Sequence, residues 1–219
     1  MKIQIKPLLE GAESAEGIAV IIDVINASST IVECLQRGAK EVVPVKTMKE
    51  AAKIKKAGDF ICGEMKNFRI QPDFYNSPYS ASKEKLIGRR VIIKTEAGTK
   101  GILGAKKAEE VIIGCFLNCS AIVRYLEKKK PNIVSIVPMG DYGKTKNIED
   151  EAFATYLKNK LDGKYVDDFK EIRSKIKTGS TRNLFRSTFL RRQMNSCMRM
   201  DTSDIVPKFV GNKVMAIKV

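Results

Sequence analysis

Apolar positions in this chain fall in short dense runs, separated by polar turns that carry glycine, serine or threonine. Residues 18–25 form an almost unbroken run, interrupted only by Asp23, as expected of a strand buried on both faces of a parallel sheet. The run ends in Asn26-Ala27-Ser28-Ser29-Thr30, after which Ile31, Val32, Cys34 and Leu35 recur at helical spacing up to a stop at Arg37-Gly38. The same order recurs downstream. Residues 42–45 predict a short strand, and Thr47 with Glu50 three places on predicts a capped helix over 48–57, closed by Gly58. Phe60-Ile61-Cys62 predicts a strand leading into Gly63-Glu64 and a long irregular segment through Asn76-Ser77-Pro78, a length that marks function or disorder in a compact domain. Residues 91–93 lead through 94–99 into a helix starting near Lys100. Residues 111–114 lead through Asn118-Cys119-Ser120 into a helix over 121–129, and residues 133–137 lead to an acidic helix start at Glu149-Asp150-Glu151 that runs to Leu161. Residues 1–10 alternate like a strand, and residues 204–209 and 213–219 predict two more around Gly211-Asn212.

Strands that repeatedly feed polar turns into helices predict an α/β fold, a three-layer α/β/α arrangement with a mainly parallel or mixed sheet. The expected layout is a single domain over 1–219, with βα units over 1–165 and a basic helix and strands over 166–219 packing back on them. Such sheets bind ligands outside the carboxyl ends of their strands. Asp23, Ser28, Ser29, Thr95, Gly98, Thr99, Asn118, Ser120 and Asp141 all fall at that edge by position.

Composition narrows the chemistry. With 43% hydrophobic and 30% charged residues among 219, and no apolar stretch long enough to span a bilayer, a soluble globular protein is expected. The start lacks the layout of a signal peptide, and the five cysteines include no Cys-x-x-Cys pair, so a cytoplasmic setting with reduced, buried thiols is expected. Histidine is absent. That excludes His-based acid/base catalysis, Ser-His and Cys-His nucleophiles and His-rich metal sites. The net charge of +15 favours anionic partners but does not by itself separate nucleic acid from phosphorylated or sulfonated small molecules. Residues 170–200 hold nine Lys/Arg against Glu171 alone. A helix there, capped by Ser180 or Thr181, would place Leu184, Phe185, Phe189 and Leu190 on one side and dock on the core. No nucleic-acid motif accompanies it, which leaves nucleic acid the weaker reading.

Standard phosphate-chemistry signatures are missing. There is no Gly-x-x-x-x-Gly-Lys-Ser/Thr loop, Arg124 follows Cys119 one residue too early for a tyrosine-phosphatase loop, and Asp23 lacks a second Asp two places on. What remains is a hydroxyl-rich helix start at Ser28-Ser29-Thr30, with similar turns at 95–99 and 118–120. Helix N-termini bind phosphate through their N–H groups, although Ser and Thr also serve there simply as caps. Asp23, Glu64, Asp141, Glu149 and Asp150 are carboxylates able to hold Mg2+, which needs one or two of them with water and substrate oxygens. Glu149-Asp150-Glu151 also suits a helix dipole, whereas Asp23 inside an apolar strand is costly unless paired or metal-bound.

Taken in order, Asp23-Val24-Ile25-Asn26-Ala27-Ser28-Ser29-Thr30, Gly63-Glu64, Asn76-Ser77-Pro78, Gly98-Thr99, Gly114-x-x-x-Asn118-x-Ser120, Glu149-Asp150 and Asp201-x-x-Asp204-Ile205-Val206-Pro207 resemble the 2-phosphosulfolactate phosphatase family. The resemblance implies Mg2+-dependent hydrolysis of 2-phosphosulfolactate to sulfolactate and phosphate in coenzyme M biosynthesis. It implies Asp23, Glu64 and Asp150 as catalytic and metal-holding residues, and Ser28, Ser29, Thr95, Gly98, Thr99, Asn118 and Ser120 as substrate-binding residues. The chain departs from the family pattern at Asn26, where the family carries Arg, at Met65-Lys66-Asn67, at Lys94 and Ala97, and at Pro138-Met139-Gly140. Lys66, Arg69 and Lys94 are the candidates to replace the missing positive charge. A homologue that binds an anionic metabolite without hydrolysing it is the alternative. Oligomeric state stays open, a homo-oligomer included.

Overall fold

The apolar runs become strands, and their alternation decides which helix covers which face. The computed structural model describes residues 1–64, 70–166, 168–178 and 187–219. In chain order these are β1 (Lys2–Ile5), α1 (Leu8–Glu13), β2 (Ile18–Ile22), α2 (Ala27–Gln36), β3 (Glu41–Pro44), α3 (Met48–Ile54), β4 (Phe60–Gly63), β5 (Phe74–Tyr75), α4 (Pro78–Ala81), β6 (Arg90–Lys94), α5 (Gly98–Gly104), β7 (Glu110–Gly114), α6 (Cys119–Lys129), β8 (Ile133–Pro138), α7 (Ile148–Leu161), α8 (Phe169–Thr178), α9 (Thr188–Cys197), β9 (Ile205–Val210) and β10 (Lys213–Lys218). Among the described residues no helix is long and apolar enough to cross a membrane.

All ten of these strands join one sheet in the order β1-β8-β2-β7-β9-β10-β3-β6-β4-β5. β1, β8, β2 and β7 are mutually parallel, as are β3, β6, β4 and β5. The C-terminal hairpin lies between these groups and is antiparallel to β7 through β9, to β3 through β10, and within itself. Three reversals make the two groups run in opposite directions. A right-handed twist of about 20–25° per pair, summed over the five steps from β2 to β6, rotates the strands by roughly 100–125°. Reversal and twist together swing the carboxyl ends of both groups toward the same side.

Strand alternation separates three apolar layers. Ala19, Ile21, Ile113, Val42 and Ile93, from both groups, and Val214 of the hairpin pack with α1, α2 and α5. Ile18, Val20, Ile22, Ile112 and Ile136 face the other way, onto α6, α7, α8 and α9. Val43, Ile61 and Ile92 meet α3. The sheet is therefore mixed and covered on both faces, as the sequence predicts.

Several boundaries differ from expectation. Alternation over residues 1–10 yields a strand only over Lys2–Ile5, because Leu8 turns to φ 68 and the chain enters α1. The helix predicted over 48–57 has its Thr47 cap but stops at Ile54, where Lys55 becomes extended. Lys55 Nζ holds Asp73 at 2.7 Å, and Asp73 in turn accepts from Ile61 N at 2.6 Å, so α3 ends where the chain must tie to β4. α5 and α6 each begin two residues before the expected start. The long segment after Glu64 contains β5 and the one-turn helix α4. A helix capped by Ser180 or Thr181, with Leu184 and Phe185, lies outside the described residues. Phe189 and Leu190 belong to α9, whose cap is Ser187.

The joints of the hairpin are short: two residue pairs connect β7 to β9, and one connects β10 to β3. A lysine reinforces each joint. Lys208 Nζ lies 2.6 Å from Glu110, and Lys213 Nζ 2.8 Å from Glu41. Burial favours the neutral Glu110 carboxyl, but hydrogen bonds from Lys208, Tyr125 and Lys129 outweigh it and hold the group down to about 2. The ionised form stabilises the fold fully above about pH 4.5, and this contribution drains away as pH falls toward 2. Glu110→Gln is expected to cost about 1 kcal/mol at neutral pH and progressively less as the buffer is acidified. Urea titrations across that range check it, and a constant cost at every pH would be the wrong outcome.

Candidate active site

The turn after β2 is built around the carboxylate that interrupts its apolar run. Asp23 Oδ1 accepts from Ala27 N at 3.2 Å and Oδ2 from Gly98 N at 2.8 Å. One carboxylate thus ties the start of α2 to the start of α5, which follow strands of opposite groups. Gly98 makes the approach possible: a Cβ there would stand 2.6 Å from Ala27 Cβ and 2.8 Å from Asp23 Oδ2. Asp150, near the start of α7, accepts from Val24 N at 2.7 Å and from Gly140 N at 2.9 Å, joining the turns after β2 and β8. Asn147 caps α7 by accepting from Asp150 N at 3.0 Å, which fixes that carboxylate's base. Glu64, just past β4, accepts from Glu96 N at 2.9 Å in the turn after β6. Backbone N–H groups left over at helix starts and turns are what these carboxylates satisfy.

Between these turns lies a cleft of about 380 Å³, lined by Asp23, Asn26, Glu64, Asn76, Glu96, Asp141, Tyr142, Asn147 and Gln193 among others. Its lining is acidic although the whole chain carries +15. Crowding of carboxylates shows in their titration. Asp23 is pushed up to about 6, first by burial and further by Glu64, against the opposing N–H bonds from Ala27 and Gly98. Asp150 is pushed well above the usual range by burial and by Asp23. Burial also raises Glu149 to about 7, aided by Asp141 and Asp23, and its buried Oε2 has no hydrogen-bond partner among the described residues. Asn76 Oδ1 is another buried atom without one.

The structure thus brings Asp23, Glu64, Gly98 and Asp150 into one network. The hydroxyl and amide residues expected to bind substrate sit elsewhere in that scaffold. Ser28 Oγ accepts from Asp23 N at 2.9 Å, and Ser29 Oγ donates to Val24 O at 2.8 Å, both buried within the turn. Thr95 and Thr99 bond each other's backbone N–H through their hydroxyls. Asn118 is fully buried; it accepts from Cys115 N and donates to Ile113 O and Ile205 O, linking β7 to β9. Ser120 donates to Asp201 at 2.6 Å beside the start of α6. These side chains do not line the cleft; each is held by a polar group of the scaffold that folding would otherwise leave unpaired. The sequence reading did not single out Glu96, Tyr142, Asn147 or Gln193 as cleft residues. Glu96 lies inside the 95–99 turn, a usable signal, whereas nothing in the basic C-terminal segment distinguishes Gln193. Lys94 pairs with Glu96 in the same turn. Lys66 and Arg69 lie outside the described residues.

An acidic, amide-rich cleft where carboxyl ends of strands meet is where α/β enzymes act on small charged substrates. The family model described as 2-phosphosulpholactate phosphatase matches residues 4–212. A probable 2-phosphosulfolactate phosphatase of Thermotoga petrophila is 34% identical over 91% of this chain and 92% of its own length. One of Clostridium perfringens strain 13 is 31% identical over 94% and 92% respectively. One of Caldanaerobacter subterraneus is 40% identical over 57% of this chain and 54% of its own. The chain belongs to the 2-phosphosulfolactate phosphatase family, whose members are phosphoric monoester hydrolases.

Glu149 gives this site a measurable signature. Its folded value of about 7 lies above the ordinary 4.5, so folding takes up a proton between them and stability falls as pH rises through that window. Glu149→Gln should match the native chain below the window and exceed it above pH 7 by up to about 3 kcal/mol in metal-free denaturation. A variant weaker than the native chain at pH 8 would contradict the assignment.

Proposed function

We propose that this chain hydrolyses a small, strongly anionic phosphomonoester, 2-phosphosulfolactate, with Mg2+ as its metal, and so serves coenzyme M biosynthesis. The observation that carries the reading is Asp23: a buried carboxylate held by the starts of two helices from opposed strand groups, bordering a cleft with Glu64. Among the described residues no group of three or more His, Cys, Asp or Glu is arranged as a metal site. Mg2+ does not need one, since one or two carboxylates suffice when water and phosphate oxygens complete the shell. Glu149 Oε2 has no hydrogen-bond partner among the described residues, and burial shifts Asp23 and Glu149 upward, so a cation nearby would ease their ionisation. No Lys or Arg among the described residues lines the cleft. Asp23 and Glu64, both on the cleft wall, fit a divalent ion whose shell water and phosphate oxygens would complete.

Asp23 and Glu64 would hold the ion, which supplies charge neutralisation and polarisation of the phosphoryl oxygens. Asp150 does not line the cleft and accepts from Val24 N and Gly140 N, so its part is to fix the Asp23 turn against the β8 turn. Ser28, Ser29, Thr95, Thr99 and Asn118 hold the shapes of the turns behind the cleft. Asn26, Asn76 and Gln193 add amide groups along the wall. Asp23 must be ionised to work in this way.

Phosphate release from 2-phosphosulfolactate is expected to require Mg2+ and to fall about tenfold per pH unit below the Asp23 value of about 6. Asp23→Asn is expected to lower kcat by about 10²–10³ and to abolish the rise in melting temperature that Mg2+ gives the native chain. If the native chain turns over no faster than Asp23→Asn, the reading fails.

A further inference from the structure

We infer that this protein carries a second oxyanion site, separate from the cleft, in a pocket where Arg37, Arg192 and Arg199 converge. The pocket, of about 380 Å³, is walled by the ends of α2, α4 and α9. Its pivot is Glu33, a carboxylate only 6% exposed. One of its oxygens accepts from Arg37 Nε at 2.7 Å and the other from Arg199 Nη2 at 2.8 Å. Arg199 is further fixed by donating from Nε to Ser196 O at 3.1 Å. Arg192 donates to the Tyr79 hydroxyl at 2.8 Å and lies 5.6 Å from the centre of that ring, over which Lys83 also sits at 5.3 Å.

Two guanidinium groups thus share one carboxylate while a third is held beside them by Tyr79, and the surplus of positive charge is kept in place by hydrogen bonds. Each guanidinium has five N–H donors, of which these bonds use one or two. Such a fixed set suits the planar, two-point grip of a phosphate or sulfonate group and needs little ordering on binding. Two of the nine Lys/Arg of residues 170–200, Arg192 and Arg199, are thereby gathered with Arg37 into a concavity. This favours a small oxyanion over nucleic acid. α9 presents Arg192 to this pocket and Gln193 to the cleft, so the two sites share a helix but no lining residue.

The test is a titration of the 15N-labelled full chain with inorganic phosphate at constant ionic strength, following the arginine Nε–Hε signals. Signals of Arg37, Arg192 and Arg199 are expected to shift together and saturate with one dissociation constant. The paired variant Arg37→Lys with Arg192→Lys, which keeps the charge but loses the forks, is expected to weaken binding at least tenfold, while Lys128→Gln with Lys130→Gln leaves it unchanged. Glycerol 3-phosphate in place of phosphate distinguishes a site for the free ion, which binds both equally, from one for a phosphorylated metabolite, which binds the ester more tightly. Linear, unsaturated shifts in the native chain overturn the proposal whatever the variants do, as does an equal loss in the Lys128/Lys130 pair.

Discussion

One antiparallel insertion governs this protein. The hairpin of β9 and β10 is inserted between two parallel strand groups and turns one against the other. Without it the sheet would be two small parallel sheets, each with an exposed edge and its own set of carboxyl ends. With it, accumulated twist sets the turn after β2 beside the turn after β6, close enough for Asp23 to accept from Gly98. The last strands in the sequence thus decide where residues from its first half meet.

The joints of that insertion are made of few backbone pairs, and side chains carry what the ladders lack. Lys208 with Glu110 and Lys213 with Glu41 pin the hairpin on each side, and Asn118 joins β7 to β9 from within. Beyond the hairpin, the shared apolar layer under α1, α2 and α5 draws on strands from both groups and leaves them no independent core on that face. Cohesion and site geometry have the same cause.

Within the site, structure and chemistry compete for the same carboxylates. Asp23, Glu64 and Asp150 satisfy the N–H groups of turns that would otherwise be unpaired, which stabilises the turns and fixes the carboxylates. Burying them together also raises the cost of ionising them, as the upward shifts of Asp23 and Asp150 record. A bound cation would lower that cost. In a chain with a net charge of +15 this acidic pocket is a local exception, and the arginine pocket around Glu33 is the opposite one.

Much of this was legible in the residues alone. Dense apolar runs such as 18–22 and 111–113 mark buried strands because alternation disappears when both faces are covered. Asp23 declared itself as a polar residue in such a run, and Thr47, Gly98 and the acidic start of α7 were readable from local backbone chemistry. Pairings were not readable. That Asn118 binds across to Ile205, that Ser120 is taken up by Asp201, and that Gln193 reaches the cleft from the basic segment depend on partners far apart in sequence. Local sequence determined the elements and the residue types at their ends, since caps, turns and burial act over a few residues. Tertiary structure alone decided which ends share a pocket, because strand order and twist are set by how all the faces are buried at once.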